Sequence, residues 1–444
     1  MLRPVVRPCL LVSLLCACPA PADDVDAGDH DREGEGEGEG EGEGDGEGEG
    51  DGEGDGEGEG EGEGEGDGEG EGEGEGDPPP CGTEHVTRAR LGPVTGEVYW
   101  QQIGLGGLSI GEAALLVLPD GTRALVDVGN DSHDDDVIDA LAEHFIDARM
   151  DLIVLTHHHA DHEGALTQLL DQLEVGRVVH RGFVDVTPAA NDTVVSELCA
   201  AVEGTAQDGA LCTRAASGCA AATFGDAPLT CATPAVLAAS GDFALEVLAV
   251  DGHVGGRSYQ ADVGALLEDD SNGENARSVV AVVRHGPFRM LFAGDLTGGG
   301  SDTDPVEAFV AQHLGDDVLG RGADVLHLSH HARDTSSSTA WLDALLPADG
   351  RPRSAIAGIS TAHVNSPHES VVQAVLDGRL HDGGLFVTTV APGGTATDGV
   401  IDAEGGSVRA ATAEGGAVIY VQAVRPDGTV VDTIRSRAVR DCAP

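Results

Sequence analysis

Four histidines and an aspartate stand together in the segment His157-His158-His159-Ala160-Asp161-His162. Imidazole nitrogens and carboxylate oxygens are the ligands that borderline divalent metals such as Zn²⁺ bind in proteins. His157 and His159 are two residues apart, so in extended backbone their side chains point the same way and can share one metal. Asp161 and His162 follow where the chain turns into a helix, so they can reach a second metal. The spacing therefore predicts a dinuclear metal site.

A short apolar run, Leu152-Ile153-Val154-Leu155, precedes these histidines and predicts a buried strand. The residues from Gly164 to Leu170 are typical of the beginning of a helix. The ligands then lie in a tight loop at the carboxyl end of a strand, where open α/β sheets place their sites. The alternative is a fortuitous histidine-rich tract. Such a tract would not be expected to follow a buried strand or to place Asp161 before the fourth histidine.

The order strand-Thr-His-x-His-x-Asp-His-x-Gly resembles the metal motif of the metallo-β-lactamase superfamily. Three further strands match that family in order: Ala124–Gly129 with its Asp-x-Gly end, Met290–Asp295 with its Gly-Asp end, and Val325–His331 with its late histidines. The likeness covers roughly residues 95 to 390. It implies an α/β (α+β) fold, an αββα sandwich of two mixed sheets with outer helices.

Within the superfamily, the chain is most similar to the soluble hydrolase domain of the ComEC-type competence proteins. That group has a double histidine, here His330-His331, followed by a Ser/Thr-rich stretch, here residues 335–339. An Asn and a Pro-His pair follow in both, here Asn365 and Pro367-His368. The group usually has Gly-Ser after the double histidine, where this chain has Ala332-Arg333. The shape and substrate preference of this loop therefore do not carry over from the group.

The resemblance implies ligands for two metals: His157, His159 and His253 for the first, Asp161, His162 and His330 for the second, and Asp295 as the bridge between them. His253 follows a predicted strand, and His180 is the alternative for its position. Zn²⁺ is the expected ion for this mixture of ligands, with Mn²⁺ or Fe as alternatives. Two such ions roughly 3.5–4 Å apart lower the pKa of a shared water and polarise the oxygen under attack.

Asp161 and Asp295 are the expected catalytic residues, because either carboxylate could help to move the proton. Asp127 and His331 are expected just outside the ligands, with Asp127 orienting a ligand or the attacking water. His327 alternates with apolar residues, which predicts a buried side chain, and His368 stays unassigned. Asn275 and Ser278 resemble an Asn-x-x-Ser feature of the ComEC-type group, and turn capping is as good an explanation for them as catalysis.

The first 18 residues predict a targeting segment, since a short apolar stretch follows two arginines. Leu15-Cys16-Ala17-Cys18 resembles a bacterial lipobox, in which Cys18 would carry the lipid. An ordinary signal peptide, cut near residues 20–22, is the alternative. Both predict export, either as an outer-membrane or cell-surface lipoprotein or as a periplasmic or secreted protein.

Residues 19–80 predict a disordered acidic tether, because Glu or Asp alternates with Gly over residues 33–76 and the carboxylates repel each other. Residues 78–444 still carry 51 acidic against 21 basic side chains, a net charge of −30. Such a surface lacks the basic footprint of a nucleic-acid-binding protein and counts against a processive nuclease. No later apolar run reaches the roughly 20 residues of a membrane helix. DNA transport is therefore not implied, and membrane contact is expected only through a lipid anchor.

Six cysteines remain after the targeting segment: Cys81, Cys199, Cys212, Cys219, Cys231 and Cys442. An even number in an exported chain predicts disulfides. We favour a pair between Cys81 and Cys442, which would join the beginning of the domain to its end, with the other four cysteines paired within residues 196–231. A four-cysteine zinc site is the weaker alternative, because no two of these cysteines form a Cys-x-x-Cys pair.

Residues 81–444 predict one hydrolase domain with a cysteine-rich insertion at about 185–240, which either shapes substrate access or only decorates an edge. Strands are predicted at about 97–103, 113–118, 123–128, 152–155, 177–180, 244–250, 278–284, 288–293, 324–328, 354–359 and 384–389. Helices are predicted at about 134–147, 163–173, 304–314, 338–346 and 368–377. Pro426-Asp427-Gly428 predicts a hairpin within residues 408–434.

Three functions fit these features. The first is an exported dinuclear metal-dependent hydrolase that attacks a small-molecule or phosphodiester substrate with activated water, as the resemblance implies. The second is a hydrolase of a lactam, lactone or other acyl bond. The third is a tethered surface protein that keeps the fold but binds without cleaving. The complete set of ligands favours the two enzymes over the binding protein. The oligomeric state is not predicted.

Overall fold

The computed structural model describes residues 81–442, with gaps at 183–191, 203–204, 206, 214–228, 265–266, 268–270, 301–302, 316–317 and 319. All of these residues lie in the unit Gly74–Pro444. The predicted targeting segment with Cys18, the acidic tether and Cys219 lie outside the described residues. In the described part, no helix has the length and apolar content needed to cross a membrane.

The first sheet has ten strands, and its order is β1-β22-β21-β20-β2-β3-β4-β5-β6-β7. Its strands are β1 Thr83–His85, β2 Tyr99–Gln102, β3 Ala113–Val117, β4 Arg123–Val128, β5 Arg149–Val154, β6 Glu174–His180, β7 Asp208–Ala210, β20 Ser407–Ala413, β21 Val418–Val424 and β22 Val430–Arg437. Strands β4 to β7 run parallel, whereas the remaining neighbours pair antiparallel.

The second sheet also has ten strands, with the order β13-β12-β11-β14-β15-β16-β17-β18-β19 and β10 paired to β11. Its strands are β10 Ala235–Ser240, β11 Phe243–Val250, β12 His253–Val254, β13 Arg257–Ser258, β14 Val280–His285, β15 Phe288–Phe292, β16 Val325–His327, β17 Ser354–Ala357, β18 Leu385–Val387 and β19 Val400–Asp402. Strands β15 to β19 are parallel. A two-stranded ribbon is formed by β8 Cys212–Thr213 and β9 Thr230–Cys231.

The described helices cover the outer faces of the two sheets. They are α1 Asp134–Ala142, α2 Ala160–Glu163, α3 Leu166–Gln172, α4 Asp192–Val202, α5 Tyr259–Val263, α6 Ser271–Asn275, α7 Val306–His313, α8 Thr339–Leu345 and α9 Glu369–Leu376. The interior strands are apolar on both faces, as strands between two layers must be. Leu152 and Val154 face the core between the sheets, while Ile153 packs toward α1 and α3. The αββα sandwich expected from the sequence is therefore confirmed.

Most predicted elements are found, with two differences. The single helix predicted over 163–173 is two helices, α2 and α3, because the loop that holds the metal ligands forms its own short turn first. The segment 185–240 also contains regular structure that was not predicted, including α4, which packs against the first sheet through Leu198 and Val202. Its role in substrate access stays a prediction. The expected hairpin is present, with Pro426-Asp427-Gly428 between β21 and β22.

Two disulfides are described, Cys81–Cys442 and Cys212–Cys231. The first joins residues 361 positions apart, as the sequence analysis favoured. The second lies within the segment where the remaining cysteines were expected to pair. Cys199 is disulfide-bonded as well.

Candidate metal centre

The carboxyl ends of parallel strands from both sheets supply the candidate ligands. In the first sheet, His157 and His159 follow β5, which is parallel to β4 and β6. In the second sheet, Asp295 follows β15, and His330 and His331 follow β16. Because the sheets are packed face to face, these strand ends meet at one edge of the sandwich.

One cluster contains Asp161, His162, Asp295 and His331, whose candidate ligand atoms all lie within 4.8 Å of one another. His162 Nε2 is 3.3 Å from Asp295 Oδ1, and His331 Nε2 is 3.5 Å from Asp161 Oδ2. All four residues are buried or nearly so. Two imidazoles and two carboxylates at such distances are a four-donor set of the type that Zn²⁺ accepts.

A second cluster contains His157, His159 and again Asp295. His157 Nε2 is 3.0 Å from His159 Nδ1 and 3.8 Å from Asp295 Oδ2. His330 Nε2 lies 3.7 Å from the same carboxylate oxygen. Asp295 is thus shared by the two clusters: its Oδ1 lies near His162, and its Oδ2 lies 3.7–3.8 Å from His157, His330 and His331.

The donor atoms fit a metal because several of them are buried with no hydrogen-bond partner among the described residues. These atoms are His162 Nε2, His331 Nε2 and Asp295 Oδ1. A buried polar atom that lacks a hydrogen bond costs on the order of 1–3 kcal/mol, so three such atoms in one place favour a bound partner. A divalent cation bound between them would satisfy all three.

The electrostatics of the cluster also favour a cation. Although burial lowers the pKa of His331, the neighbouring Asp295, Asp161 and Glu112 carboxylates raise it to about 10. For His162, the charges of Asp295, Asp161 and Asp127 likewise outweigh burial and raise the pKa well above its usual value. The carboxylates that stabilise protonated imidazoles here would stabilise a bound metal ion in the same way.

The structure gives the two members of the double histidine different surroundings. His331, expected outside the ligands, lies in the four-donor cluster, whereas His330, expected as a ligand of the second metal, is in neither cluster and has its Nε2 3.7 Å from Asp295 Oδ2. The cause is local backbone geometry. His330, His331 and Ala332 have φ values of 51°, 53° and 57°, a left-handed turn in which successive side chains point in different directions.

His253, expected as the third ligand of the first metal, is in neither cluster of the described residues, so its assignment stays a prediction. It forms part of the short strand β12, and its Nδ1 lies 2.8 Å from the backbone oxygen of Asp251. The alternative His180 is buried, with Nε2 3.2 Å from Asp208 Oδ1. His330 lies nearer to the clusters than the sequence order of these histidines indicates, with Nε2 3.7 Å from Asp295 Oδ2.

Asp127 lies where the sequence analysis placed it, behind a ligand. Its carboxylate accepts hydrogen bonds from Thr156 N at 2.7 Å, Thr156 Oγ1 at 2.8 Å and His162 Nδ1 at 2.9 Å. The bond to Nδ1 leaves His162 Nε2 directed at the cluster, an arrangement that fixes ring orientation and ligand basicity in metal sites. Burial raises the pKa of Asp127, although the His162 charge opposes this.

Glu112 also lies beside a candidate ligand, His331, whose Nδ1 forms its hydrogen bond with Gly358 O at 2.9 Å, and the sequence did not point to Glu112. Its Oε2 is 3.0 Å from His331 Nδ1 and its Oε1 is 3.1 Å from His327 Nε2. The backbone N–H of Glu112 donates to Asp161 O, so this residue contacts both sides of the four-donor cluster. The available signal was a lone carboxylate at the beginning of the buried strand β3. His327 is buried, as its alternation with apolar residues predicted.

A cavity of about 290 Å³ opens onto the clusters and is lined by Ile110, Asn275, Arg333 and His363 together with the candidate ligands. Asn275 Nδ2 is 3.4 Å from His330 Nε2, and its buried Oδ1 has no partner among the described residues. Ser278 Oγ accepts from Asp295 N at 3.2 Å, which supports a structural role.

The ring of His363, which the sequence analysis did not identify, lies 4.1 Å from that of His331. His368 instead precedes α9, where its Nδ1 accepts from Ser370 N.

A buried ionic network holds the backbone of the histidine motif. The Arg181 guanidinium donates to both carboxylate oxygens of Glu274, at 2.7 and 2.6 Å. Glu274 Oε1 also accepts from the backbone N–H of His158, whose ring lies 2.8 Å from Glu163 Oε2. His158 is therefore part of the support for the loop, while its neighbours His157 and His159 face the site.

The chain resembles known proteins only at low sequence identity. No curated protein matches the chain. Among solved structures, it is similar to the subclass B3 metallo-beta-lactamase MEM-A1 from a soil metagenome, at 15% identity and a TM-score of 0.29 over 54% of this chain and 78% of that one. It is also similar to MIM-1 from Novosphingobium pentaromativorans, at 14% identity and a TM-score of 0.28 over 55% of this chain and 78% of that one. Similarity at this level says nothing about substrate.

A family model described as Metallo-beta-lactamase superfamily matches residues 110–188. This segment begins before Glu112 and includes Asp127 and the whole motif from His157 to His162. Over this segment, the chain is similar to the metallo-beta-lactamase superfamily.

Proposed function

We propose that the protein is an exported dinuclear metal-dependent hydrolase that cleaves a phosphodiester bond in a small substrate. The single observation that supports this most is the shared carboxylate of Asp295, which faces His162 Nε2 with one oxygen and His157 Nε2 with the other. When bound there, two divalent ions would supply an activated water and would polarise the oxygen under attack.

The protein's own side chains would orient the metal ligands and deprotonate the attacking water. Asp127 holds His162 through Nδ1, and the Gly358 oxygen, with Glu112 beside it, holds His331 through Nδ1, so both Nε2 atoms stay directed at the cluster. Asp161 is the more exposed of the two central carboxylates, at 14% against 2% for Asp295. We assign to Asp161 Oδ2 the role of accepting the proton of the attacking water, because it lines the cavity from which a substrate would approach.

The choice of a phosphodiester is supported by the double histidine and the Ser/Thr stretch that follows it, in which Thr335 Oγ1 contacts His330 Nδ1 at 2.5 Å. The net charge of −30 on residues 78–444 supports a small substrate rather than a nucleic acid. The experiment must distinguish this function from two alternatives, an acyl-bond hydrolase and a non-catalytic binding protein.

The test is metal analysis of the full chain combined with two chromogenic substrates, bis(p-nitrophenyl) phosphate and a chromogenic β-lactam. Two metals per chain with phosphodiester turnover is the expected result. Turnover of the lactam alone would replace the proposal with an acyl hydrolase, and a chain that binds no metal would contradict both. Asp295→Asn should lose turnover, while the matched control His381→Ala, an exposed histidine away from the site, should keep it.

Export is supported by the two described disulfides, since disulfides persist in oxidising compartments. Growth of expressing cells with an alkyne-tagged fatty acid tests the lipid anchor. The intact chain should take up the label and Cys18→Ala should not. Equal labelling of both would contradict lipidation at Cys18.

A further inference from the structure

Arg333 differs from the other charged residues that line the cavity because its side chain is a permanent cation. It follows the left-handed turn that carries His330 and His331, and it lines the same cavity as Asp161, Asp295 and Asn275. The other charged side chains that line this cavity are carboxylates and candidate metal ligands. A permanent cation in this position is not needed to hold a divalent metal, and it would repel one.

The guanidinium of Arg333 has no hydrogen bond or ion pair in the described part of the chain. Other described arginines contact carboxylates, backbone carbonyls or an aromatic ring, as Arg353, Arg321 and Arg88 show. Arg177 is the other described arginine that lacks such a contact, and it is exposed on β6, away from the cavity. In a domain with 51 acidic against 21 basic side chains, an unpaired arginine directed into a cavity is notable.

A guanidinium offers five N–H donors in a planar fork that matches the two oxygens of a carboxylate or phosphate. Arg333 is only partly exposed, so it has lost some hydration without gaining a protein partner. The same cavity is lined by Ile110, an apolar side chain that is 41% exposed, and by the amide of Asn275. Once divalent ions offset Asp161 and Asp295, the cavity would carry a net positive charge.

We infer that Arg333 binds an anionic group of the substrate that is separate from the bond being cleaved. The substrate class is therefore a small molecule with a carboxylate or phosphate a short distance from its scissile bond. This inference rests on the proposed metal-dependent hydrolase function, and it adds to that function the feature by which the site selects its substrate.

Binding of non-cleavable probes to the zinc-loaded full chain tests the inference by isothermal titration calorimetry. The probes are alkylphosphonates with one to three methylenes, whose far end carries a methyl group, a carboxylate or a second phosphonate. In the wild type, a second anion at the best spacing should tighten binding about tenfold or more, since a hydrogen bond to a charged group contributes roughly 1.5–3 kcal/mol. The carboxylate and phosphonate ends distinguish the two kinds of anion.

Arg333→Gln should bind the methyl-ended probe as before and lose the preference for the second anion, while Arg333→Lys should keep part of it. Arg177→Gln is the matched control and should keep all of it. Zinc content and melting temperature should be the same in all four proteins. A wild type without the preference, or an Arg333→Gln variant that retains it, would overturn the inference.

The experiments distinguish a failure of the proposed hydrolase function from a failure of the proposed anion site at Arg333. If the wild type turns over neither chromogenic substrate but Arg333→Gln still loses the preference for the second anion, the hydrolase function fails and the anion site stands. If turnover is observed and Arg333→Gln binds every probe like the wild type, the anion site fails and the hydrolase stands.

Discussion

At the scale of single residues, the backbone of one turn decides which side chain reaches which cluster. Non-glycine residues rarely have positive φ, yet three follow one another at His330, His331 and Ala332. With this conformation, His331 Nε2 lies 3.5 Å from Asp161 Oδ2, while His330 Nε2 lies 3.4 Å from Asn275 Nδ2. The result is a division of roles between two neighbouring histidines that the spacing of the residues alone does not indicate.

The first prediction separates the ligand set of the structure from the one expected from sequence. His331→Ala removes a donor from the four-donor cluster, so it should lower the bound metal from two ions per chain to about one. His253→Ala removes a histidine outside both clusters and should leave two. Elemental analysis of the dialysed proteins gives the measurement. A loss of metal in His253→Ala with none in His331→Ala would restore the sequence-based assignment.

The second prediction concerns Glu112. Replacing its carboxylate in Glu112→Gln weakens the support of His331 Nδ1 without changing a ligand, and such changes typically lower metal affinity about 10–100-fold. Competition with a chromogenic zinc chelator measures this affinity. Asp127→Asn should have a comparable effect through His162, and Glu369→Gln, on exposed α9, should have none. Unchanged affinity in Glu112→Gln would mean that the Gly358 oxygen, 2.9 Å from His331 Nδ1, orients the ring by itself.

At the scale of elements, the loop that supports His330 is fixed by a buried carboxylate on α7. Glu307 accepts from the backbone N–H groups of Ser337 and Ser338 at 2.8 and 2.7 Å. Burial raises the pKa of Glu307 to about 7, although these two bonds oppose the change. The carboxylate thus holds the beginning of α8, and with it the stretch that contains Thr335.

The third prediction follows from that pKa. The ordinary pKa of a glutamate side chain is 4.5, and in the folded state Glu307 keeps its proton to a higher pH. The contribution of the protonated Glu307 to stability is therefore fully present below pH 4.5 and is lost as the pH rises to about 7. The free energy of unfolding of the wild type relative to Glu307→Gln should therefore fall by up to about 3 kcal/mol over this range. Urea unfolding at several pH values measures the difference. A difference that stays constant or rises with pH would contradict the pKa.

At the scale of the whole molecule, the site exists only because two sheets meet. The first sheet carries the motif from His157 to His162, and the second carries Asp295 and the double histidine. The core between the sheets, with Trp100, Leu152 and Phe292 among its members, keeps the strand ends in register. The Cys81–Cys442 disulfide joins the beginning of the described chain to its end.

The fourth prediction concerns this disulfide. Because it closes a loop of 361 residues, its loss in Cys81→Ser/Cys442→Ser should lower the free energy of unfolding by about 2–5 kcal/mol. Metal content should not change, since neither cysteine contacts the site. Cys212→Ser/Cys231→Ser, which opens a separation of only 19 residues, should cost less. Equal stability of the Cys81→Ser/Cys442→Ser variant and the wild type in chemical denaturation would show that the long link has no stabilising role.

The sequence by itself determined the features that depend on local pattern. Buried strands appear as apolar runs, and the motif from His157 to His162 carries its chemistry in its spacing, so the fold and one side of the metal centre were predictable. Asp127 and Asp295 were also identified, because each follows directly on a recognisable strand. These conclusions need only residues that are neighbours along the chain.

Tertiary structure decided everything that depends on residues far apart in sequence. Glu112 and His363 contact His331 across loops, and His330 rather than His253 lies beside Asp295, because packing of the sheets and a left-handed turn set these distances. The free cation at Arg333 could not be recognised in the sequence either. Whether an arginine has a partner depends on the residues that surround it in space, and folding brings those residues together.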